Sequence, residues 1–108
     1  VGVTTNITDN SDEVILRMGY ATITGLNVIG AVAETYAKAD CPVDTGRLRN
    51  SISHAVEDNE AVIGSDCEYA SFVELGTRKM KAQPYLRPAA YNHTEEYRKI
   101  LEDSLRNA

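Results

Sequence analysis

The string with the most chemical content is Val43-Asp44-Thr45-Gly46. Asp-Thr-Gly is the triplet that carries the catalytic carboxylate of aspartic proteases, in which two carboxylates share one proton. Some of those enzymes are homodimers of short chains, each subunit supplying one Asp. Three features oppose that chemistry here. Residues 12–38 read as helix, whereas those enzymes are nearly all β. Pro42 stands two residues before Asp44, where an apolar strand would be needed. Arg47 would place a guanidinium beside the dyad. Asp44 and Thr45 read better as cap and turn residues, and an aspartic-protease-like dimer through Asp44 is the minor alternative.

Other chemistries find less support. Cys41, Cys67, His54 and His93 are scattered, with no Cys-x-x-Cys and no His pair one helical turn apart, so no zinc site is expected. Asp9-Asn10-Ser11-Asp12-Glu13 lacks the glycine and distal Glu of a calcium loop. No Gly-x-Ser-x-Gly and no phosphate-cradling glycine loop occurs. Two cysteines do not make a disulfide scaffold and are expected as reduced thiols. Asn6-Ile7-Thr8 and Asn92-His93-Thr94 match the glycosylation sequon by chance, since no secretion signal opens the sequence. No cofactor, no metal and no catalytic residue is expected.

The elements that would position these residues follow from periodicity. Residues 1–11 read as an extended, flexible arm. Residues 12–38 carry Val14, Ile15, Met18, Leu26, Ile29, Val32, Ala33, Tyr36 and Ala37 at recurrent spacings of three, four and seven, which predicts one long helix with a kink near Gly25. Cys41-Pro42 ends it. Gly46 suits a position of positive φ or of close backbone approach, and Leu48 points inward from a short helical turn. Residues 52–57 and 61–65 alternate around Asp58-Asn59-Glu60 and predict a β-hairpin. Residues 68–75 predict a short helix containing Tyr69 and Ala70, closed by Gly76 as a left-handed cap. Pro84 suits the first turn of a helix, Pro88 either sits in that turn or breaks it, and the last helix is expected over residues 89–106. The fold class is therefore α+β, with the N- and C-terminal helices on one face of a small antiparallel sheet that contains the hairpin.

The chain has 108 residues, which predicts a single domain over residues 1–108. Its 11 basic and 16 acidic residues give a net charge of −5, which argues against nucleic-acid binding as the main activity. Hydrophobic residues at 43% and charged residues at 25% are ordinary globular values. No apolar run is long enough to cross a membrane, and no membrane partner is expected. Charge is segregated. Glu57, Asp58, Glu60, Asp66, Glu68 and Glu74 form an acidic run, and Arg78, Lys79, Lys81 and Arg87 form a basic one. A two-signed surface of this kind lets the basic loop of one subunit meet the acidic hairpin of the next, a heterologous contact that closes into a ring if the rotation permits.

Three ordered blocks then resemble one family. They are Cys41-Pro42-Val43-Asp44-Thr45-Gly46-Arg47-Leu48-Arg49-Asn50-Ser51-Ile52, then residues 64–77 ending in Glu74-Leu75-Gly76-Thr77, then Met80-Lys81-Ala82-Gln83-Pro84-Tyr85-Leu86-Arg87-Pro88-Ala89. The pattern is similar to that of the small tail-component proteins of long-tailed phages and prophages, with Leu75 and Tyr85 where Phe is usual. The resemblance implies a non-enzymatic virion protein of the neck or tail top that completes the tail and joins it to the head. Tail terminator and head-side stopper are the neighbouring alternatives, and a small prophage adaptor is a further class. It also implies a hexameric or dodecameric ring of identical subunits, assembled in the host cytoplasm. Neighbouring neck, terminator or tail-tube proteins would be its partners, and DNA would pass through the channel in transient contact. Pro42, Asp44, Thr45, Gly46, Leu48, Tyr69, Ala70, Glu74, Gly76, Thr77, Pro84, Leu86, Arg87 and Pro88 are then positions of fold and subunit contact. Glu74 is expected near Arg78, Arg47 or Arg87. Arg78, Lys79, Lys81, Glu57, Asp58 and Glu60 are expected at subunit interfaces or the lumen.

Overall fold

The computed structural model describes residues 5–9, 13–18, 23–42, 46–57, 60–67 and 69–106. Asp44, Thr45, Asp58 and Glu68 lie outside the described residues. The chain begins with two strands, β1 (Thr5–Asp9) and β2 (Glu13–Met18), paired antiparallel from Thr5 opposite Met18 to Asp9 opposite Val14. This corrects both N-terminal expectations. Residues 5–9 form a sheet edge instead of a free arm, and the long helix α1 (Ile23–Asp40) starts at Ile23, not at residue 12. The reason is visible in Val14 and Leu16, which are buried two residues apart while Glu13 and Ile15 are not. That is the period of a strand. Over so short a window the apolar positions fit either period.

From Ile23 onward the helical reading holds. α1 is unbroken and buries Leu26, Ile29, Gly30, Ala33 and Ala37, one stripe at spacings of three and four, with Gly25 buried in its first turn. Gly30 is small for a packing reason. A Cβ there would stand 2.6 Å from Cδ2 of His54 on the sheet below. After α2 (Arg47–Ser51) the predicted hairpin forms as β3 (Ile52–Glu57) and β4 (Glu60–Ser65), with Glu57 opposite Glu60. β4 also pairs with β2, so the four strands run β1-β2-β4-β3 and every neighbour is antiparallel.

Three helices complete the chain. α3 (Ala70–Leu75) is the expected short helix. The last helix divides into α4 (Leu86–Tyr91) and α5 (Thr94–Arg106), a correction to the single helix expected over residues 89–106. Asn92 and His93 form the break, and both are weak helix formers. Pro88 is the third residue of α4, where its missing N–H would have no intrahelical partner in any case. Asn92 N–H still reaches Pro88 O at 3.0 Å to close the turn.

All the principal helices pack on one side of the sheet. α1 lies on β3 and β4, α4 lies on β2 and β1, and α1 meets α4 and α5. The core between them holds Val14, Leu16, Ile52, Ala61 and Ile63 from the sheet and Leu26, Ile29, Leu86, Tyr97 and Leu101 from the helices. Polar contacts fix α1 against α5. The Tyr36 hydroxyl donates to Glu96, and His93, just before α5, stacks on Tyr36 with ring centroids 3.6 Å apart, while the buried Tyr97 hydroxyl donates to Ala89 O and ties α5 to α4. Burial raises the Tyr97 pKa far above the ordinary tyrosine value.

His54 Nδ1 lies 2.9 Å from a carboxylate oxygen of Glu34, whose other oxygen is 3.1 Å from Lys38 Nζ. Burial raises the Glu34 pKa, but the bonds from His54 and Lys38 outweigh it and leave the value below normal. A depressed carboxyl contributes stability that is present above its unfolded value, ~4.3, and that is lost as pH falls through the lower folded value. The carboxylate is half-buried and still partly solvated, so the contribution is about 1 kcal/mol or less. Urea unfolding of Glu34→Gln should therefore match the parent at pH 3 and fall slightly below it at pH 6.

Candidate assembly surface

The three sequence blocks converge at the end of the sheet from which β3 starts. Gly46 leads into α2 with φ 82° and ψ −5°, so the positive φ expected there is present. Asn50 N–H donates to Gly46 O at 2.9 Å, and the Ser51 hydroxyl donates to Leu48 O at 2.6 Å. Leu48 is buried, as expected. A Cβ on Gly46 would meet nothing nearer than Asn50 Nδ2 at 3.6 Å. Gly46→Ala should therefore cost only the left-handed backbone penalty, about 1–2 kcal/mol, in a urea titration.

Ala70 is buried and Tyr69 half-buried, with the Arg47 guanidinium 5.6 Å above the Tyr69 ring. Gly76 ends α3, donating its N–H to Phe72 O at 2.8 Å. Its φ is 80° but its ψ is 173°, so it is not the left-handed cap expected. The backbone turns out into an extended path that only glycine adopts readily. Thr77 N–H then donates to Met80 O, and Gln83 N–H donates to Val73 O, both at 2.8 Å.

Glu74 is the centre of this arrangement and corrects an expectation. It is 1% exposed. Its carboxylate accepts the backbone N–H of Tyr85 at 3.0 Å, of Leu86 at 2.8 Å and of Arg87 at 3.3 Å. It is held by the amides at the start of α4, not by the guanidiniums of Arg47, Arg78 or Arg87. Those amides have no partner within their own helix, so the carboxylate of the second block caps the helix of the third. Pro84 leads the chain into this cap and is exposed.

The same segments leave a groove of about 800 Å³ whose walls include Pro42, Leu48, Tyr69, Phe72, Val73 and Met80. Phe72 and Leu75 are about half exposed beside it. Arg78, Lys79, Lys81 and Arg87 are all exposed, as expected of the basic run. Glu57 and Asp66 are exposed and Glu60 is half-buried, but Glu74 is removed from the acidic surface by its burial. Cys41 and Cys67 are buried free thiols, and burial pushes the Cys41 pKa up, which suits a packed side chain and not a nucleophile. Among the described residues, no three metal-ligating side chains stand together and no helix is long and apolar enough to cross a membrane.

The family model described as "Bacteriophage HK97-gp10, putative tail-component" matches residues 21–76, over half of the chain, and the chain belongs to this HK97-gp10-like tail-component family. No curated protein and no solved structure matches the chain. The matched span covers α1, α2, the hairpin and α3. The segment that Glu74 caps lies just beyond it.

Proposed function

We propose that this phage tail component forms a ring of identical subunits at the top of the tail, completes the tail there and joins it to the head. The ring would leave a channel for DNA. Family membership makes the chain a structural tail protein. The observation that carries the reading further is the separation of its exposed charge. Arg78, Lys79 and Lys81 follow α3 in the chain and Arg87 stands at the start of α4, whereas Glu57 ends β3 and Asp66 follows β4. Surfaces of opposite sign at different places on one chain favour head-to-tail association, and closed head-to-tail association is a ring. Six or twelve copies fit this reading. The basic loop either bridges subunits or lines the channel, and the net charge of −5 keeps passing DNA from being retained. Catalysis has no part in this role. Neighbouring neck, terminator or tube proteins are the partners, met during assembly in the host cytoplasm.

The test is a phage or prophage in which the gene is disrupted. Filled heads and tails of normal length that lack this ring should accumulate unjoined, and the wild-type chain supplied in trans should restore joined particles. Tails of irregular length would point instead to a terminator role, and normal infectious particles would overturn the reading.

A further inference from the structure

Among the described residues the helices cover one face of the sheet, and the side chains of the other alternate toward solvent. Strand register puts three rows on that open face. Ile15, Val62 and Ala55 form the middle row. Glu13, Gly64 and Ser53 form the row on one side, and Arg17, Glu60 and Glu57 the row on the other. The centre is apolar and small-residued, and a shallow depression of about 390 Å³ lies over Ala55, Val62 and Gly64. Asp66 joins its rim. Among the described residues the face carries Glu13, Glu57 and Glu60, with Asp66 at its rim, so its described charges are acidic.

The α3 end of the molecule is complementary in both respects. Phe72 is 55% exposed and Leu75 48% exposed, and Arg78, Lys79 and Lys81 follow within two turns of chain. The acid nearest them that could offset those cations, Glu74, has its carboxylate buried in backbone amides. The exposed apolar side chains of one patch match the Ala55, Val62 and Gly64 floor of the other, whose surround of Glu13, Ser53, Ser65 and Asp66 is polar and acidic, so that cations face carboxylates. Phe72 and Val73 of α3 line one groove with Leu48 of α2, and the depression on the sheet is lined by no residue of α3 or of the loop 76–81.

We propose that the open sheet face of one copy seats α3 and the loop 76–81 of the next copy. Phe72 and Leu75 sit over Ala55, Val62 and Gly64, and the loop cations reach Glu57 and Asp66. The assignment rests on the ring reading and specifies its contact. Since the two patches differ, the contact is heterologous, and each copy offers one patch to each neighbour.

The test uses the full chain with Ala55→Cys in one preparation and Leu75→Cys in another, both at exposed positions, while Cys41 and Cys67 stay buried. A short bis-maleimide should cross-link the mixture into dimers and give little product with either preparation alone. Lys79→Glu with Lys81→Glu in the Leu75→Cys chain should reduce the product about tenfold, and Glu57→Lys in the Ala55→Cys chain should restore part of it. Strong product from Ala55→Cys alone would mean sheet faces meeting each other and would overturn the assignment. So would capture of a different tail protein by Leu75→Cys in intact particles. Native mass spectrometry separates the two claims. Rings without the mixed cross-link overturn this contact alone, and a monomer at every concentration overturns the ring as well.

Discussion

Glu74→Ala should unfold the chain more easily by about 3–5 kcal/mol, as read from the midpoint of a urea titration. The carboxylate accepts three backbone N–H groups at the start of α4. Hydrogen bonds to a charged acceptor are worth about 1.5–3 kcal/mol each, and buried donors left without partners add a penalty. The three do not simply add, because the amides share one acceptor group and move together. A loss of this size is a large part of the 5–15 kcal/mol that holds a typical domain. Glu74→Gln keeps the shape and one acceptor oxygen but loses the charge that favours a helix N-terminus, and it should cost about 1–2 kcal/mol. The graded pair separates the hydrogen bonds from the volume of the side chain. If both variants unfold within about 0.5 kcal/mol of the parent, the cap does not hold α4 to α3.

Gly76→Ala should be the second costly change, by about 3–4 kcal/mol in the same titration. Two effects combine. With φ 80° and ψ 173° the backbone lies in a region that side chains avoid at about 1–3 kcal/mol. In addition, a Cβ would stand 2.7 Å from Ala82 N and 3.0 Å from Met80 O. Both atoms are backbone in the loop that carries the chain from α3 to α4, so relief requires the loop to move. Gly46→Ala provides the comparison, because its φ is nearly the same but the space around it is open. The difference between the two glycine variants combines the steeper backbone penalty at ψ 173° with the packing of the loop against Gly76. Equal costs would show that the loop yields freely. Since that loop carries Arg78, Lys79 and Lys81, Gly76→Ala should also weaken assembly at protein concentrations where Gly46→Ala does not.

Local pattern made the middle of this chain readable. The body of α1 announces itself in Leu26, Ile29, Ala33 and Ala37, whose spacing fits only a helix. The β3–β4 hairpin follows from alternation on both sides of a polar tip. Gly46 and Gly76 each stand where the chain changes direction, and both have positive φ. The N-terminus is ambiguous by local pattern, because Glu13–Met18 is too short to separate a period of two from one of 3.6. What decides it is pairing with β4, whose residues lie more than forty positions away. The break at Asn92 and His93 was missed because a short polar interruption is ordinary in an exposed helix.

The assembly surface was legible as residue types but not as roles. Asp44 and Thr45 drew attention as a possible catalytic motif, and they lie outside the described residues. Glu74 looked like one more member of an acidic run. Its burial depends on the amides of Tyr85, Leu86 and Arg87, and no local pattern reports a contact of that range. The nearest signal is the recurrence of Glu-Leu-Gly-Thr and Gln-Pro-Tyr-Leu-Arg-Pro-Ala as an ordered pair of blocks. The open sheet face was hidden because Val14 to Leu16 was read with the wrong period, which left Ile15 on the same side as its neighbours. Once β2 is a strand, Ile15, Val62 and Ala55 fall into one row.

Cryo-electron microscopy of the intact particle tests the central claim most directly. The account predicts density for this chain as a closed ring at the head–tail junction, around an open channel, with one α+β subunit per asymmetric position. Absence of the chain from mature particles, or density at the distal end of the tail, would contradict it.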